Sequence, residues 1–120
     1  MIHPTNTRSR LDQSPRLLAA KLLPTTDQRL YQCPAGKRAE ILFLQICNGA
    51  TTATTVRFHH VAKDEASAQG NAQLYDTSIP ANSAMQDNAP RPMLEGEELR
   101  ASAGASSAVT VSVYGRELDL

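Results

Sequence analysis

Apolar positions along this 120-residue chain gather in short runs broken by Gly, Pro and Asn, the punctuation of an all-β protein. RLLAAKLLP ends at Pro24 and predicts a first strand or a short amphipathic turn, with the strand preferred, and DQRLYQC predicts a second strand. Pro34-Ala35-Gly36 then forms a tight turn, because proline presets φ at the first central position and glycine admits a positive φ. RAEILFLQICN, residues 38–48, is the strongest strand signal. In strict alternation its apolar residues fall on both sides, with Ala39, Ile41, Phe43 and Cys47 on one and Leu42, Leu44 and Ile46 on the other. A half-solvated strand alternates between apolar and polar residues, so this one is expected to be covered on both faces. Only one face of a strand is core in a two-layer sandwich. The face carrying Leu42, Leu44 and Ile46 is therefore expected to meet a loop, the N-terminal segment or another subunit.

Asn48-Gly49 is a strong turn signal, and TTATTVRFHHVA after it is rich in β-branched residues and alternates as a strand. KDEASAQGN reads as a polar loop, and AQLYDTSI as a strand stopped by Pro80-Ala81-Asn82. SAMQDN is expected to be the weak antiparallel partner of that strand, ahead of Pro90 and Pro92. MLEGEELRAS holds a turn at Glu95-Gly96 and a short strand. In the last segment Val109, Val111, Val113 and Gly115 point one way, and Thr110, Ser112 and Tyr114 the other. About eight short strands with no convincing helix imply a single antiparallel β-sandwich or jelly roll over residues 18–120. Residues 1–17 begin with a Thr, Asn, Ser, Arg, Gln and Pro stretch that has no apolar period, and are expected to form an extended arm.

Charge separates these two parts. Residues 1–38 carry seven basic and two acidic side chains, and residues 39–120 carry five basic and ten acidic ones, so a net +5 is attached to a net −5. A basic arm on an acidic body suits an arm that seeks an acidic surface, such as that of a neighbouring copy. Aromatics are scarce, with no Trp and five rings in all, which counts against sugar-binding or base-stacking modules. No apolar run approaches membrane-spanning length, and MIHPTNTRSRLDQSP lacks the apolar segment of a signal peptide, so use without secretion is expected. Cys33 and Cys47 lack CxxC spacing and read as small buried residues.

Catalytic chemistry finds no footing in these residues. His59 and His60 are adjacent on a strand, so they point to opposite faces and cannot share a metal. The carboxylates Asp64, Glu65, Glu95, Glu97 and Glu98 flank turns without a calcium-loop pattern. No GxSxG, SxxK, Walker or GxGxxG motif is present. The expectation is a non-enzymatic protein with no cofactor and no metal. Arg8, Arg10 and Arg16 lack interleaved aromatics, so no specific nucleic acid is expected.

YQCPAGKRAEILFLQICNGATTATTVRFHH resembles small β-sandwich virion proteins of tailed bacteriophages, in which a Pro-Ala-Gly-Lys-Arg-Ala turn leads to a long hydrophobic strand, an Asn-Gly turn and a Thr/Val-rich strand. SIPANSAM and MLEGEELRASAG resemble the second half of such proteins, where IPAN turns one hairpin. The resemblance covers residues 28–117 and leaves the arm outside it. It implies a capsid decoration or cement subunit in the virion, or a tail, neck or baseplate/fibre adaptor, with no catalytic residues. A carbohydrate-binding adhesion module is the alternative from another class. The implied partners are the major capsid protein or other virion subunits, and further copies of the chain as a trimer or dimer. Candidate contacts are Arg8, Arg10, Arg16, Leu17 and Leu18 on the arm, and Leu42, Leu44 and Ile46 on the sheet face.

Overall fold

A computed structural model describes residues 13–120, and nine strands form among them. They are β1 (Arg16–Leu22), β2 (Gln28–Gln32), β3 (Lys37–Asn48), β4 (Thr54–Val61), β5 (Ala72–Ile79), β6 (Ser83–Asp87), β7 (Arg91–Met93), β8 (Glu98–Ala103) and β9 (Val109–Asp119). Every pairing is antiparallel and the pairs nest: β1 with β9, β2 with β8, β3 with both β6 and β7, and β4 with β5. Two further pairings, β3 with β9 and β4 with β8, complete a first sheet of order β1-β9-β3-β6 and a second of order β2-β8-β4-β5. The fold is a two-sheet β-sandwich, as the turn spacing implies. β7 is the strand the sequence reading lacks, since three residues around a proline carry little periodicity.

Between the sheets lies a core of aliphatic side chains. Ile41, Leu44, Ile46, Val111 and Val113 of the first sheet meet Val56, Phe58, Leu99 and Ala101 of the second. Each large side chain buried there is worth about 1.5–3 kcal/mol relative to exposure. The C-terminal strand alternates as expected, with Val109, Val111, Val113 and Gly115 buried and Thr110, Ser112 and Tyr114 between them half-buried.

β3 departs from the strict alternation expected of it. Ile41 pairs with Gly115 and Phe43 with Tyr114, leaving Leu42 as an extra residue, a β-bulge. The bulge reverses the phase of everything after it. Ala39 and Ile41 face the core before it, and Leu44, Ile46 and Asn48 face the core after it. Leu44 and Ile46 are thus core residues with no exposure, and only Leu42 of the three expected face residues is exposed. Cys47, expected to be buried, is turned outward by the same shift, while Cys33 is buried and both thiols are free. Gly115 sits against the bulge, where a Cβ would lie 2.2 Å from the Glu40 carbonyl oxygen and 3.0 Å from Ile41 Cα. β1 carries a matching bulge between Leu17 and Ala19, on the other side of β9.

β6 is the second departure, because it pairs with β3 in the first sheet and not with β5. Asn48 explains the crossing. Buried completely, its side-chain amide donates to the carbonyls of Thr52, Ile79 and Pro80, and its Oδ1 accepts from the Ala50 amide. These bonds tie the end of β3 to the corner after β5, where Asn82 takes a positive φ of 50°. The IPAN segment therefore carries the chain from one sheet to the other and does not turn a hairpin.

Arg91 closes the side of the sandwich where β6 and β7 follow one another along β3. It is 5% exposed, lies 5.3 Å over the Phe58 ring, and donates to Asp87 Oδ2 at 2.8 Å, to Ala89 O and to Gln73 Oε1. A charge this buried is tolerable only when its donors are matched. Burial pushes the Asp87 carboxyl up, but hydrogen bonds from Arg91 and the Ala89 amide outweigh it and hold the pKa below its ordinary value.

Two outcomes follow for stability. Gly115→Ala is expected to destabilise by more than about 2 kcal/mol, since backbone must move, whereas Gly70→Ala, whose Cβ meets nothing within 4 Å, stays near neutral. Urea unfolding measures both. Because the folded pKa of Asp87 is depressed, its contribution is complete above about pH 4 and is lost as pH falls through the folded value. The unfolding free energy of Asp87→Asn should therefore fall less steeply than that of the native chain between about pH 4 and pH 2.

Candidate interaction surface

Facing pairs in an antiparallel sheet share a side, so the register defines what each sheet presents outward. On the first sheet three rows run across the strands. Leu17, Tyr114 and Phe43 form one, with the bulged Leu42 beside Phe43. Ala20, Ser112, Gln45 and Gln86 form the next. Leu22, Thr110, Cys47 and Ala84 form the third. No charged side chain stands in these rows. Leu17 and Leu22 are about half exposed, and the Phe43 and Tyr114 rings stack with centroids 4.6 Å apart. The face ends at the Arg116–Glu40 ion pair of 2.6 Å, whose members pair across β9 and β3.

The outward side of the second sheet is the opposite in character. Arg57 donates to both oxygens of Asp76 and lies 4.3 Å over the Tyr75 ring. The bond from Arg57 lowers the pKa of Asp76. Arg100 bridges Asp27 and Glu98, and Arg29 reaches Glu98 at 3.9 Å. Such exposed pairs each contribute little to stability, but they keep a sheet face hydrated. One face of this sandwich is dressed for water, and the other carries a patch of three rows without charge.

The arm candidates divide. Arg8 and Arg10 lie outside the described residues. Arg16, Leu17 and Leu18 belong to β1, so the sandwich begins two residues before its expected boundary. Arg16 donates to Glu117 Oε1 at 2.9 Å, and Glu117 also accepts from the Tyr31 hydroxyl, which ties the start of β1 to both sheets. Burial and the bond to Glu117 raise the Tyr31 pKa. Leu18 packs against the core and Leu17 faces outward. The reading of the sequence did not single out Phe43, Tyr114 and Leu22 as surface candidates; the alternation of β9 places Tyr114 on the side opposite the valines, whereas Phe43 turns outward only through the bulge.

The remaining candidates for chemistry stay apart. His59 Nδ1 meets Asn71 Oδ1 at 2.9 Å and His60 Nε2 meets Glu97 Oε1 at 2.7 Å, each on its own side of β4. Among the described residues no three His, Cys, Asp or Glu side chains gather to hold a metal ion, and no helix is long and apolar enough to cross a membrane. The rings are engaged as well: Phe58 and Tyr31 are buried, Tyr75 lies under Arg57, and Phe43 and Tyr114 cover one another.

No protein-family model matches the chain, and no curated protein matches it in sequence. Its fold has counterparts among solved structures. A chain from the acid-stable capsid of Helicobacter pylori bacteriophage KHP30 is 14% identical with a TM-score of 0.52, over 90% of this chain and 96% of that one. The Drosophila NLP core, a structure described for pentamer formation and histone binding, is 8% identical with a TM-score of 0.48, over 87% and 100%. The nucleoplasmin-like N-terminal domain of Drosophila FKBP39 is 8% identical with a TM-score of 0.47, over 91% and 94%. At such identity the KHP30 likeness shows a shared fold.

Charge substitutions separate the two sides of β3. Leu44→Lys places an unpaired ammonium in the core and is expected to abolish folding, while Leu42→Lys, at a position already 38% exposed, leaves the fold intact. Circular dichroism and thermal unfolding of the two variants read the difference.

Proposed function

We propose that the chain is a non-enzymatic structural subunit of a tailed-phage virion, a jelly-roll head decoration or cement protein that binds the shell through its basic N-terminal arm and an apolar sheet face. The observation that carries this reading is a patch of three charge-free rows on the outward side of the first sheet, bounded by the Arg116–Glu40 pair. Its rows join Leu17, Leu22 and the stacked Phe43–Tyr114 pair, and it begins at the first residues of β1. A solvated sandwich surface normally mixes charges, as the second sheet does; a face with almost none fits burial against protein. The nested strand pairing supports the jelly-roll reading, an architecture used by many viral shell proteins. The resemblance of residues 28–117 to phage virion proteins and the fold shared with the KHP30 capsid chain support the same reading.

An arm suits such a role physically. A segment ordered only on a lattice covers more surface than a compact domain of equal length, at an entropic cost met by binding. Engaged aromatic rings weigh against the carbohydrate-binding alternative, which needs an open ring for the sugar to stack on.

Copy number in purified particles tests the proposal. Quantitative mass spectrometry is expected to find hundreds of copies per virion; about three to twelve would move the chain to the neck or tail, following the symmetry of those parts, and absence would overturn a virion role. Deleting residues 1–12 is expected to lower occupancy on the particle at least tenfold, with the sandwich, whose first strand starts at Arg16, still folding by circular dichroism.

A further inference from the structure

The uncharged face has a shape that identifies its occupant. Bulk is concentrated in one row, Leu17, Tyr114 and Phe43, at one end of the face. At the other end the row of Leu22, Thr110, Cys47 and Ala84 is lower, with small side chains at three of its four places. The middle row, Ala20, Ser112, Gln45 and Gln86, carries short hydroxyl and amide groups that can both donate and accept. A two-fold axis lying along the middle row sets the bulky row of one copy on the low row of the other, and sets the middle rows against each other, where Gln and Ser side chains can bond to their own counterparts.

We infer that the outward face of the first sheet packs against the same face of a second copy, as an isologous dimer with its axis along the Ala20–Ser112–Gln45–Gln86 row. In an isologous contact every feature must suit itself, so a face with no charge and with its bulk displaced to one end is suited to it. The Arg116–Glu40 pair marks one limit of the contact, since it would be desolvated if the face extended further. This rests on the reading of the chain as an assembly subunit and reassigns the sheet face from the shell to a second copy, so that contact with the shell falls to the N-terminal residues.

Area sets the strength. Four strands about 4.8 Å apart and three rows about 6.7 Å apart span on the order of 400 Å² per copy. Stable interfaces bury about 800 Å² per partner, so the dimer should be concentration-dependent in the micromolar to millimolar range.

Sedimentation equilibrium of the full 120-residue chain from about 10 µM to 1 mM tests this directly. The mass is expected to rise from monomer to dimer. Gln45→Glu and Ser112→Asp, which bring like charges together on the axis, should each raise the midpoint at least tenfold, and Ser78→Asp on the exposed side of the second sheet should not move it. Cys47 provides a readout on the native chain. Exposed in the monomer and covered in the dimer, it should react with iodoacetamide more slowly as the mass rises. A monomer throughout, a trimer, unchanged dimerisation in both charge variants, or a dimer whose Cys47 reacts at the monomer rate would each overturn the inference. Failure of these measurements with normal particle occupancy rejects the dimer alone; a normal dimer absent from particles rejects the virion reading alone.

Discussion

The close approach of β9 to β3 at Gly115 is the constraint on which the rest of the structure depends. With no Cβ at that point, the Glu40 carbonyl and Ile41 can come against β9, and β3 can hold an extra residue at Leu42. One extra residue in a strand exchanges inside for outside along everything that follows. Leu44 and Ile46 become core, and Phe43 and Cys47 become surface. The densely apolar β3 therefore serves one sheet face at a time, first before the bulge and then after it, and a sandwich of ordinary thickness can contain it. The matching bulge in β1 keeps Leu17 level with Tyr114, so that three strands contribute to a single row.

From that shift comes the asymmetry between the two sheets. Outward residues of the second sheet engage one another through Arg57–Asp76 and Arg100–Asp27 pairs, and Arg57 lies over the partly exposed Tyr75 ring. Outward residues of the first sheet are apolar, hydroxyl or amide across three rows. Both sheets use their inner faces in the same way, so the difference serves the surroundings and not the fold. Arg91 and Asn48, the most demanding buried polar groups, lie elsewhere, at the closed side and at the corner where the chain crosses between sheets, and both are matched by hydrogen bonds.

Much of this was legible in the sequence. Turn chemistry at Pro34-Ala35-Gly36 and Asn48-Gly49, and the clean alternation of Val109, Val111 and Val113, placed strands correctly because both are local properties of the backbone. Pattern alone could not reveal a bulge, since the extra residue at Leu42 is defined only by its partners Gly115 and Tyr114, more than seventy positions away. The pairing of β6 with β3 was hidden for the same reason: it depends on Asn48 holding the carbonyls of Ile79 and Pro80.

By itself the sequence determined the class of fold, the position of most strands, the basic character of the first residues and the alternation of the last strand. Each follows from the period of side chains along an extended chain and from the dihedral preferences of Gly, Pro and Asn. Tertiary structure alone decided which apolar residues face the core and which meet the surroundings. Register is a relation between distant strands, and a shift of one residue in it exchanges the two faces.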